Sequence, residues 1–210
     1  ISDQLSIGLE FGCSLHFLIG FNVMISNKNI LIISDWFYPG YKAGGPISSL
    51  YNLMELIGAE LRPKIFTRNT DWFDNRPYDL ESNSWIQNGN LEIYYSSKNH
   101  FLKIIKSIRR AEVIYLNGFY SGKFNSGPLA YLLLFNRNSK IIVAPRGMLG
   151  SHALSLKGTK KKILIAVLKK LGIESRVVFH AASEEERQGV ISVYSNAKVE
   201  VIANVPLRPE

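Results

Sequence analysis

Short β-branched runs alternate with longer amphipathic stretches from Asn29 onward, and this alternation constrains the fold more than any other feature of the chain. Several of the runs are apolar along their whole length, as Ile141-Ile142-Val143-Ala144 is, which is typical of parallel strands covered on both faces. The pattern predicts an α/β fold with a Rossmann-like, doubly wound parallel sheet. Seven runs are predicted as strands: 30–34, 64–67, 91–95, 112–116, 140–144, 176–180 and 198–202.

Amphipathic helices are predicted between these strands. The first has apolar residues three and four positions apart, which places one apolar stripe against the sheet: Ile47, Leu50, Met54, Ile57 and Leu61. Four more helices are predicted near 99–110, 127–136, 159–171 and 184–194. The last begins with a capping box, in which the Ser183 side chain accepts from the Glu186 amide and the Glu186 side chain reaches back to the Ser183 amide.

Composition narrows the classes of protein that fit this pattern. The 210 residues are 46% hydrophobic and 11% aromatic, which supports one full core and excludes a disordered chain. Cys13 is the only cysteine, so an intramolecular disulfide framework and a Cys-rich metal site are excluded. The net charge of +8 suits a polyanionic partner, such as a phosphate ester, a nucleotide diphosphate or an anionic membrane. No pattern along the chain indicates nucleic-acid binding.

Residues 1–23 differ from the rest of the chain. The apolar stretch 11–25 is shorter than the roughly 20 residues that span a bilayer, and Asp3 and Glu10 stand where a signal peptide would carry lysines. We interpret it as neither a membrane span nor a signal. Met24 is the expected natural start, residues 1–23 are an expected leader outside the folded domain, and the expected location is cytoplasmic.

Ligands of open parallel sheets bind beyond the carboxyl ends of the strands, so the residues that follow each strand are candidates. A long connection after the first strand ends in Gly44-Gly45, directly before a helix with Pro46 as its expected first residue. Two glycines at a helix N-terminus favour close approach of an anion such as phosphate, although they also suit a tight turn. A G-x-G-x-x-G fingerprint is absent, which argues against an NAD-dependent oxidoreductase. The segment from Gly118 is not a P-loop, because it has one residue too few between its glycines and no Ser or Thr after its lysine.

Two central strands end in further candidates. Asn117-Gly118 offers a side-chain amide that suits a sugar hydroxyl, and an Asn-Gly turn is the alternative. Arg146-Gly147 places a planar guanidinium where it can hold two phosphate or carboxylate oxygens. Arg146 cannot act as a base, and a structural ion pair with an Asp or Glu is its alternative role.

The C-terminal third holds three more features. His180 ends a strand, where it either donates to a substrate oxygen or is a satisfied core histidine. The glutamates of 184–186 are expected to serve a helix N-terminus rather than to bind metal. The basic segment 157–162 enters an apolar helix, which suits either an anionic membrane or the solvated face of a core helix.

An ordered set of segments resembles the N-terminal half of the family 4 glycosyltransferases, from Met24 to about Pro206. The segments are Tyr38-Pro39 with Gly44-Gly45, Thr67-Arg68 with Asn83-Ser84-Trp85, Ala144-Pro145-Arg146-Gly147-Met148-Leu149, Ala153-Leu154, the lysines of 157–162, Phe179-His180-Ala181-Ala182-Ser183-Glu184-Glu185-Glu186 and Val201-Ile202-Ala203-Asn204-Val205-Pro206.

The resemblance implies a GT-B architecture of two Rossmann-like domains that transfers a sugar from a nucleotide diphosphate sugar with retention of configuration. Residues 24–206 would form the acceptor-binding domain, whose Gly44-Gly45 loop approaches the donor phosphates. Residues 207–210 would start the linker to an absent C-terminal donor domain, which carries a pair of glutamates seven residues apart. The 210-residue chain is therefore expected to be inactive alone.

Two departures from that family affect the roles that carry over. Many relatives have histidine where Arg146 and Asn117 stand, so no proton-accepting role is assigned to Arg146, which instead stabilises charge. The hinge sequence Asn204-Val205-Pro206 lacks the usual glycine. Beside Arg146 as the catalytic residue, the expected substrate-binding residues are Gly44, Gly45, Asn117, Gly118, Gly147 and His180.

The expected partners follow from the same resemblance. They are a nucleotide diphosphate sugar as donor substrate and a glycan or polyprenyl-linked acceptor, as in the synthesis of capsule, lipopolysaccharide or another surface polysaccharide. Neither a metal nor a cofactor is expected. Peripheral contact with the inner face of an anionic membrane is a further expectation. The alternative is a non-catalytic Rossmann-like module that binds a phosphorylated ligand.

Overall fold

The computed structural model describes residues 28–97, 101–150 and 158–204, except for the side chains of 57–60. The expected leader 1–23, the start at Met24, Ala153-Leu154 and the linker 207–210 lie outside these residues. The elements in chain order are β1 (Ile30–Ser34), α1 (Gly45–Leu61), β2 (Lys64–Arg68), β3 (Trp85–Asn88), β4 (Leu91–Ser96), α2 (Phe101–Ile108), β5 (Val113–Asn117), a π-helical turn (Gly122–Ser126), α3 (Gly127–Phe135), β6 (Lys140–Ala144), α4 (Gly158–Lys170), α5 (Ile173–Arg176), β7 (Val177–Ala181), α6 (Glu184–Val193) and β8 (Lys198–Val201).

Eight strands form one sheet in the order β3-β4-β2-β1-β5-β6-β7-β8. All neighbours are parallel except β3 and β4. The chain moves outward from β1 to β4 and then returns to β5 on the other side of β1, so the strand order reverses between β1 and β5. Ser34 and Asn117 are register partners at this point, where the crevice of an open sheet binds ligands.

Helices cover both faces of the sheet, which confirms the predicted doubly wound α/β fold. Helix α1 packs on one face through its predicted stripe, including Leu50 and Met54. The opposite face is covered by α2, α3, α4 and α6, with Leu168 and Val190 among the buried residues. Strands β1 and β5 are buried at every position because they lie between these two layers, which explains their continuous apolar sequences.

The seven predicted strands are all present, with ends within one residue of the predicted ones. Strand β3 was not predicted, although Gly89-Asn90 between Asn88 and Leu91 is a two-residue hairpin signal, and Gly89 at its first position has a positive φ of +56°. Its four residues form the antiparallel edge of the sheet beside β4. Helix α1 begins at Gly45, so Pro46 is its second residue rather than its first.

Within the described ranges, no helix combines the length and the apolar character that crossing a membrane requires.

Candidate functional site

A cavity of about 360 Å³ lies beyond the carboxyl ends of the strands around the point where the strand order reverses. One wall is the first turn of α1, and the opposite wall is the start of α6. The loop after β6 and the residue Asn204 after β8 complete it. Three predicted site residues line this cavity: Gly45, Arg146 and Gly147.

Arg146 lies at the centre of this site, half-buried and held by three neutral acceptors. Its Nε donates to Asn117 Oδ1 at 2.7 Å, Nη1 donates to Asn204 Oδ1 at 2.7 Å, and Nη2 donates to Tyr115 Oη at 3.1 Å. A guanidinium has five N–H groups, so two remain for a ligand. Among the described residues, Arg146 forms no ion pair with a carboxylate, so the alternative of a structural ion pair is not supported.

The backbone of Arg146 is also unusual. Its φ of +53° lies in the left-handed region, and the next residue, Gly147, has a φ of +73°. A non-glycine residue in this region costs about 1–3 kcal/mol, which the surrounding contacts must offset. Such strain is concentrated at functional sites, and here it directs a side chain into the cavity.

Asn117 positions Arg146 instead of facing the cavity. Its side chain is buried, and its amide nitrogen donates to Ser34 Oγ at 3.1 Å and to Pro46 O at 3.3 Å. Its amide oxygen is therefore fixed toward the Arg146 guanidinium. The predicted contact of this amide with a sugar hydroxyl is not supported, because both of its donors are used within the protein.

His180 is also buried, and both of its ring nitrogens have protein partners. Nε2 lies 3.0 Å from Ile202 O, and Nδ1 lies 2.7 Å from Tyr115 Oη. Because a carbonyl can only accept, Nε2 carries the proton, Nδ1 accepts, and the Tyr115 hydroxyl donates to it. The oxygen of that hydroxyl in turn accepts from Arg146. The core interpretation of His180 therefore fits, and the substrate-contact interpretation does not.

Electrostatics keep this histidine neutral. Burial and, to a lesser degree, the nearby Arg146 guanidinium lower the pKa of His180 from 6.5 to about 4, although its bond to Ile202 O acts in the opposite direction. Burial raises the pKa of the Tyr115 hydroxyl. A neutral His180 and a neutral Tyr115 leave Arg146 as the charged member of this chain of hydrogen bonds.

Glu186 fixes the loop after β6 against helix α6. One carboxylate oxygen accepts from the Gly147 amide at 2.5 Å, and the other accepts from the Ala182 amide at 2.6 Å. Ser183 caps the helix by accepting from the Glu186 amide, as predicted, but the Glu186 side chain bonds to Ala182 rather than to the Ser183 amide. The Gly147 amide is therefore already bonded to Glu186 and is not available to a ligand. Gly147 lines the cavity without a side chain, which leaves room for a ligand there.

The glycine pair at the start of α1 has the geometry of an anion site. Gly44 has a φ of +65°, and its carbonyl accepts from the amides of Ile47 and Ser48. The amides of Ile47 and Ser48 are bonded within the turn, and Pro46 has no N–H. Among the described residues of this turn, the Gly45 amide is therefore the donor that can bind a ligand. A Cβ added at Gly45 would meet nothing within 4 Å, so the space beside this amide is open. Gly45 lines the cavity, whereas Gly44 shapes the turn before it.

A second arginine at the same edge of the sheet has a different environment. Arg68 is the last residue of β2 and forms an ion pair with the buried Asp35, which follows β1. The Asp35 carboxylate also accepts from Ser121 Oγ at 2.9 Å and from Asn125 Nδ2 at 3.1 Å. Gly118 permits this packing, because a Cβ there would lie 2.8 Å from Asn125 Nδ2. Gly118 is therefore a packing residue of this cluster, and it does not line the cavity.

Among the described residues, no group of three or more His, Cys, Asp or Glu side chains is arranged to hold a metal ion. The glutamates of 184–186 do not converge. Glu184 accepts from Arg187 and Gln188, which lowers the pKa of its carboxyl, and Glu186 binds backbone amides. Glu185 lines the cavity.

The sequence did not predict the roles of three residues of this site. Tyr115 and Asn204 accept from the Arg146 guanidinium, and Glu186 binds the amides of Gly147 and Ala182. Tyr115 carries a hydroxyl in the middle of β5, between apolar residues on both sides, which was a usable signal. The partners of Arg146 lie 29, 31 and 58 residues away along the chain, and no local pattern shows such pairs.

Comparison with protein-family models, curated proteins and solved structures finds no match to this chain. The resemblance to the family 4 glycosyltransferases therefore stays a prediction, and the geometry of the site is the basis for a functional proposal.

Proposed function

We propose that this chain is the acceptor-binding domain of a retaining glycosyltransferase that uses a nucleotide diphosphate sugar. The observation that carries the proposal is the position of Arg146. It is a cation held by neutral partners, in a strained backbone conformation, beside an open helix N-terminus at the crevice of a doubly wound sheet. Such a site is suited to the diphosphate of a sugar donor.

The chemistry assigned to Arg146 is electrostatic. When the bond between the anomeric carbon and the diphosphate breaks, negative charge grows on the leaving oxygen. The two unused N–H groups of the guanidinium would donate to that diphosphate, and the Gly45 amide would add a third donor. In a displacement on one face of the sugar, the departing diphosphate takes the proton of the acceptor hydroxyl, so this half of the protein need not supply a base.

Exposed aromatic side chains on the loops after β1 and β2 support an acceptor that contains sugar rings. Tyr41 is 75% exposed, and Phe73 is 92% exposed and stacks on Trp72 with ring centroids 4.7 Å apart. Asp71 fixes the loop that carries Tyr41 by accepting its amide at 2.9 Å. Flat, rigid aromatic faces suit the apolar faces of sugar rings at small cost in conformational entropy.

A transfer assay tests this proposal. The coding sequence is expressed through its stop codon, and sugar transfer is measured from a panel of nucleotide diphosphate sugars to polyprenyl-diphosphate-linked acceptors. We expect transfer with retained configuration, and a decrease of about 10²-fold or more in Arg146→Ala.

The matched control for that variant is Arg137→Ala, which removes an exposed arginine at the opposite edge of the sheet. Transfer that is unchanged in Arg146→Ala would remove Arg146 from the site. A coding sequence without a second βα series, combined with binding of a phosphorylated ligand and no transfer, would favour the non-catalytic module.

A further inference from the structure

Helix α4 has an apolar strip that faces away from the core. Its core side is buried at Leu168, but Ile163 is 60% exposed and Val167, one turn later, is 45% exposed. An amphipathic helix that only covers a sheet would place polar residues there. A solvated face on a core helix, which was one of the two sequence-based interpretations, therefore does not explain the exposed side chains of Ile163 and Val167.

Lysines border this exposed strip. The 13-residue helix has five lysines and no acidic residue. Lys160, Lys162 and Lys170 are exposed. At about 100° per residue, Lys160 lies beside Val167, Lys170 lies beside Ile163, and Lys162 lies about 100° beyond Ile163 on the other side of the strip. Lys169 Nζ lies 3.8 Å from Glu174 Oε2, and Lys161 Nζ lies 4.8 Å from the centroid of the Tyr120 ring. These two lysines therefore interact with other residues of the protein.

We propose that the α4 face, defined as Lys160, Lys162, Ile163, Val167 and Lys170, docks this protein on an anionic lipid bilayer. A helix that lies in the plane of a membrane interface has this arrangement: aliphatic side chains enter the headgroup boundary, and lysines on either side meet anionic lipids. Long lysine stems reach back to the headgroups while the strip is buried. A nucleic-acid surface would give no role to exposed Ile163 and Val167.

Docking through α4 would hold the carboxyl side of the sheet, which contains the cavity, beside the membrane, because the helix begins on that side. Lys161, in the first turns of α4, contacts Tyr120, which follows β5 by three residues on the carboxyl side of the sheet. A lipid-linked substrate would then lie close to the cavity. The docking proposal goes beyond the proposed function and does not depend on sugar transfer.

The test is co-sedimentation of the 210-residue chain with vesicles. One set contains phosphatidylcholine alone, and the other contains about one quarter phosphatidylglycerol. We expect binding to the anionic vesicles only, and weaker binding when the salt rises from about 0.1 M to about 0.5 M. Equal binding to both sets would overturn the proposal.

Two variants locate the surface. The triple variant Lys160→Glu/Lys162→Glu/Lys170→Glu should lower the affinity for anionic vesicles by about a hundredfold or more, since each lysine near the surface contributes about fivefold. Ile163→Ser/Val167→Ser keeps the charge and should lower the affinity by about tenfold. These side chains are exposed, so the thermal melting temperature of both variants should match that of the parent.

The matched control changes the same charge elsewhere. Lys106→Glu/Arg110→Glu/Arg137→Glu alters three exposed cations at the amino edge of the sheet and should bind anionic vesicles with an affinity within about threefold of the parent. An equal loss in this control would show that net charge alone drives binding and would overturn the proposal. A dimer in analytical ultracentrifugation that Ile163→Ser/Val167→Ser abolishes would also overturn it, because a second copy would then be the occupant.

Discussion

Two arginines at the carboxyl edge of the same sheet have opposite environments. Arg68 is paired with Asp35 and lies over the rings of Trp36 and Phe124, at 4.6 Å and 5.2 Å from their centroids. Arg146 is held by three neutral oxygens and lines a cavity. The first charge is neutralised inside the protein, whereas the second is oriented but left for an anion.

The comparison shows why an arginine after a strand has no role that can be assigned from its position alone. The charge of the groups that accept its hydrogen bonds determines whether the arginine is structural or available to a ligand. A carboxylate partner makes the arginine a structural element, and amide or hydroxyl partners fix its geometry without cancelling its charge. Substitutions should therefore separate stability from ligand binding at the two sites.

The largest effect on stability is expected at Asp35. Asp35→Ala leaves Arg68 without its ion-pair partner and removes the acceptor of Ser121 and Asn125. The free energy of unfolding should fall by about 3–5 kcal/mol, as measured by urea denaturation. A loss below about 1 kcal/mol would show that this cluster is not a structural element and would break the comparison.

The next effect concerns His180 and depends on pH. Its pKa in the folded protein, about 4, lies below its unfolded value of 6.5. The unfolded chain therefore binds the proton first as pH falls, so the contribution of His180 is present above pH 6.5 and is lost between pH 6.5 and about 4. The loss should reach about 3 kcal/mol.

The measurement is the free energy of unfolding from pH 7 to pH 4, in the parent and in His180→Asn. The variant should be less stable at pH 7 and should show a flatter pH dependence in this window. A pH profile with the same slope in both proteins would contradict the lowered pKa of the buried His180.

A smaller effect is expected at Glu186. Glu186→Ala removes the acceptor of the Gly147 and Ala182 amides and should lower the free energy of unfolding by about 1–3 kcal/mol. Glu184→Ala, two positions earlier, removes an exposed carboxylate that only bonds within its own helix, and it should lower the unfolding midpoint less than Glu186→Ala does. Equal effects of the two substitutions would show that Glu186 serves only the helix N-terminus.

The smallest effect on stability is expected at Arg146 itself. Arg146→Gly loses three hydrogen bonds to neutral acceptors, but glycine adopts the φ of +53° without strain. The two terms oppose each other, so the free energy of unfolding should change by less than about 1 kcal/mol in urea denaturation. A loss as large as that of Asp35→Ala would place Arg146 in the same structural class as Arg68.

The sequence was sufficient for most of the fold because its periodicity is local. The apolar runs predict the strands, and the Gly44-Gly45 pair and Arg146-Gly147 predict two walls of the cavity. The role of Asn117 was not predicted and the two roles of His180 could not be separated, because these residues depend on Arg146 and on Ile202, which pack beside them only after β6 and β8 join the sheet. Glu186 was assigned to helix capping for the same reason: the loop amide that it binds lies 39 residues away.

The central claim is that the charge of Arg146 is available to an anion and that of Arg68 is not. Side-chain ¹⁵N–¹H NMR of the arginine Nε–H groups, with inorganic pyrophosphate added to the 210-residue chain, tests it most directly. We predict that the Arg146 resonance shifts with saturation, that the Arg68 resonance stays fixed, and that the shift disappears in Arg146→Ala. A fixed Arg146 resonance, or an equal shift at Arg68, would contradict the account.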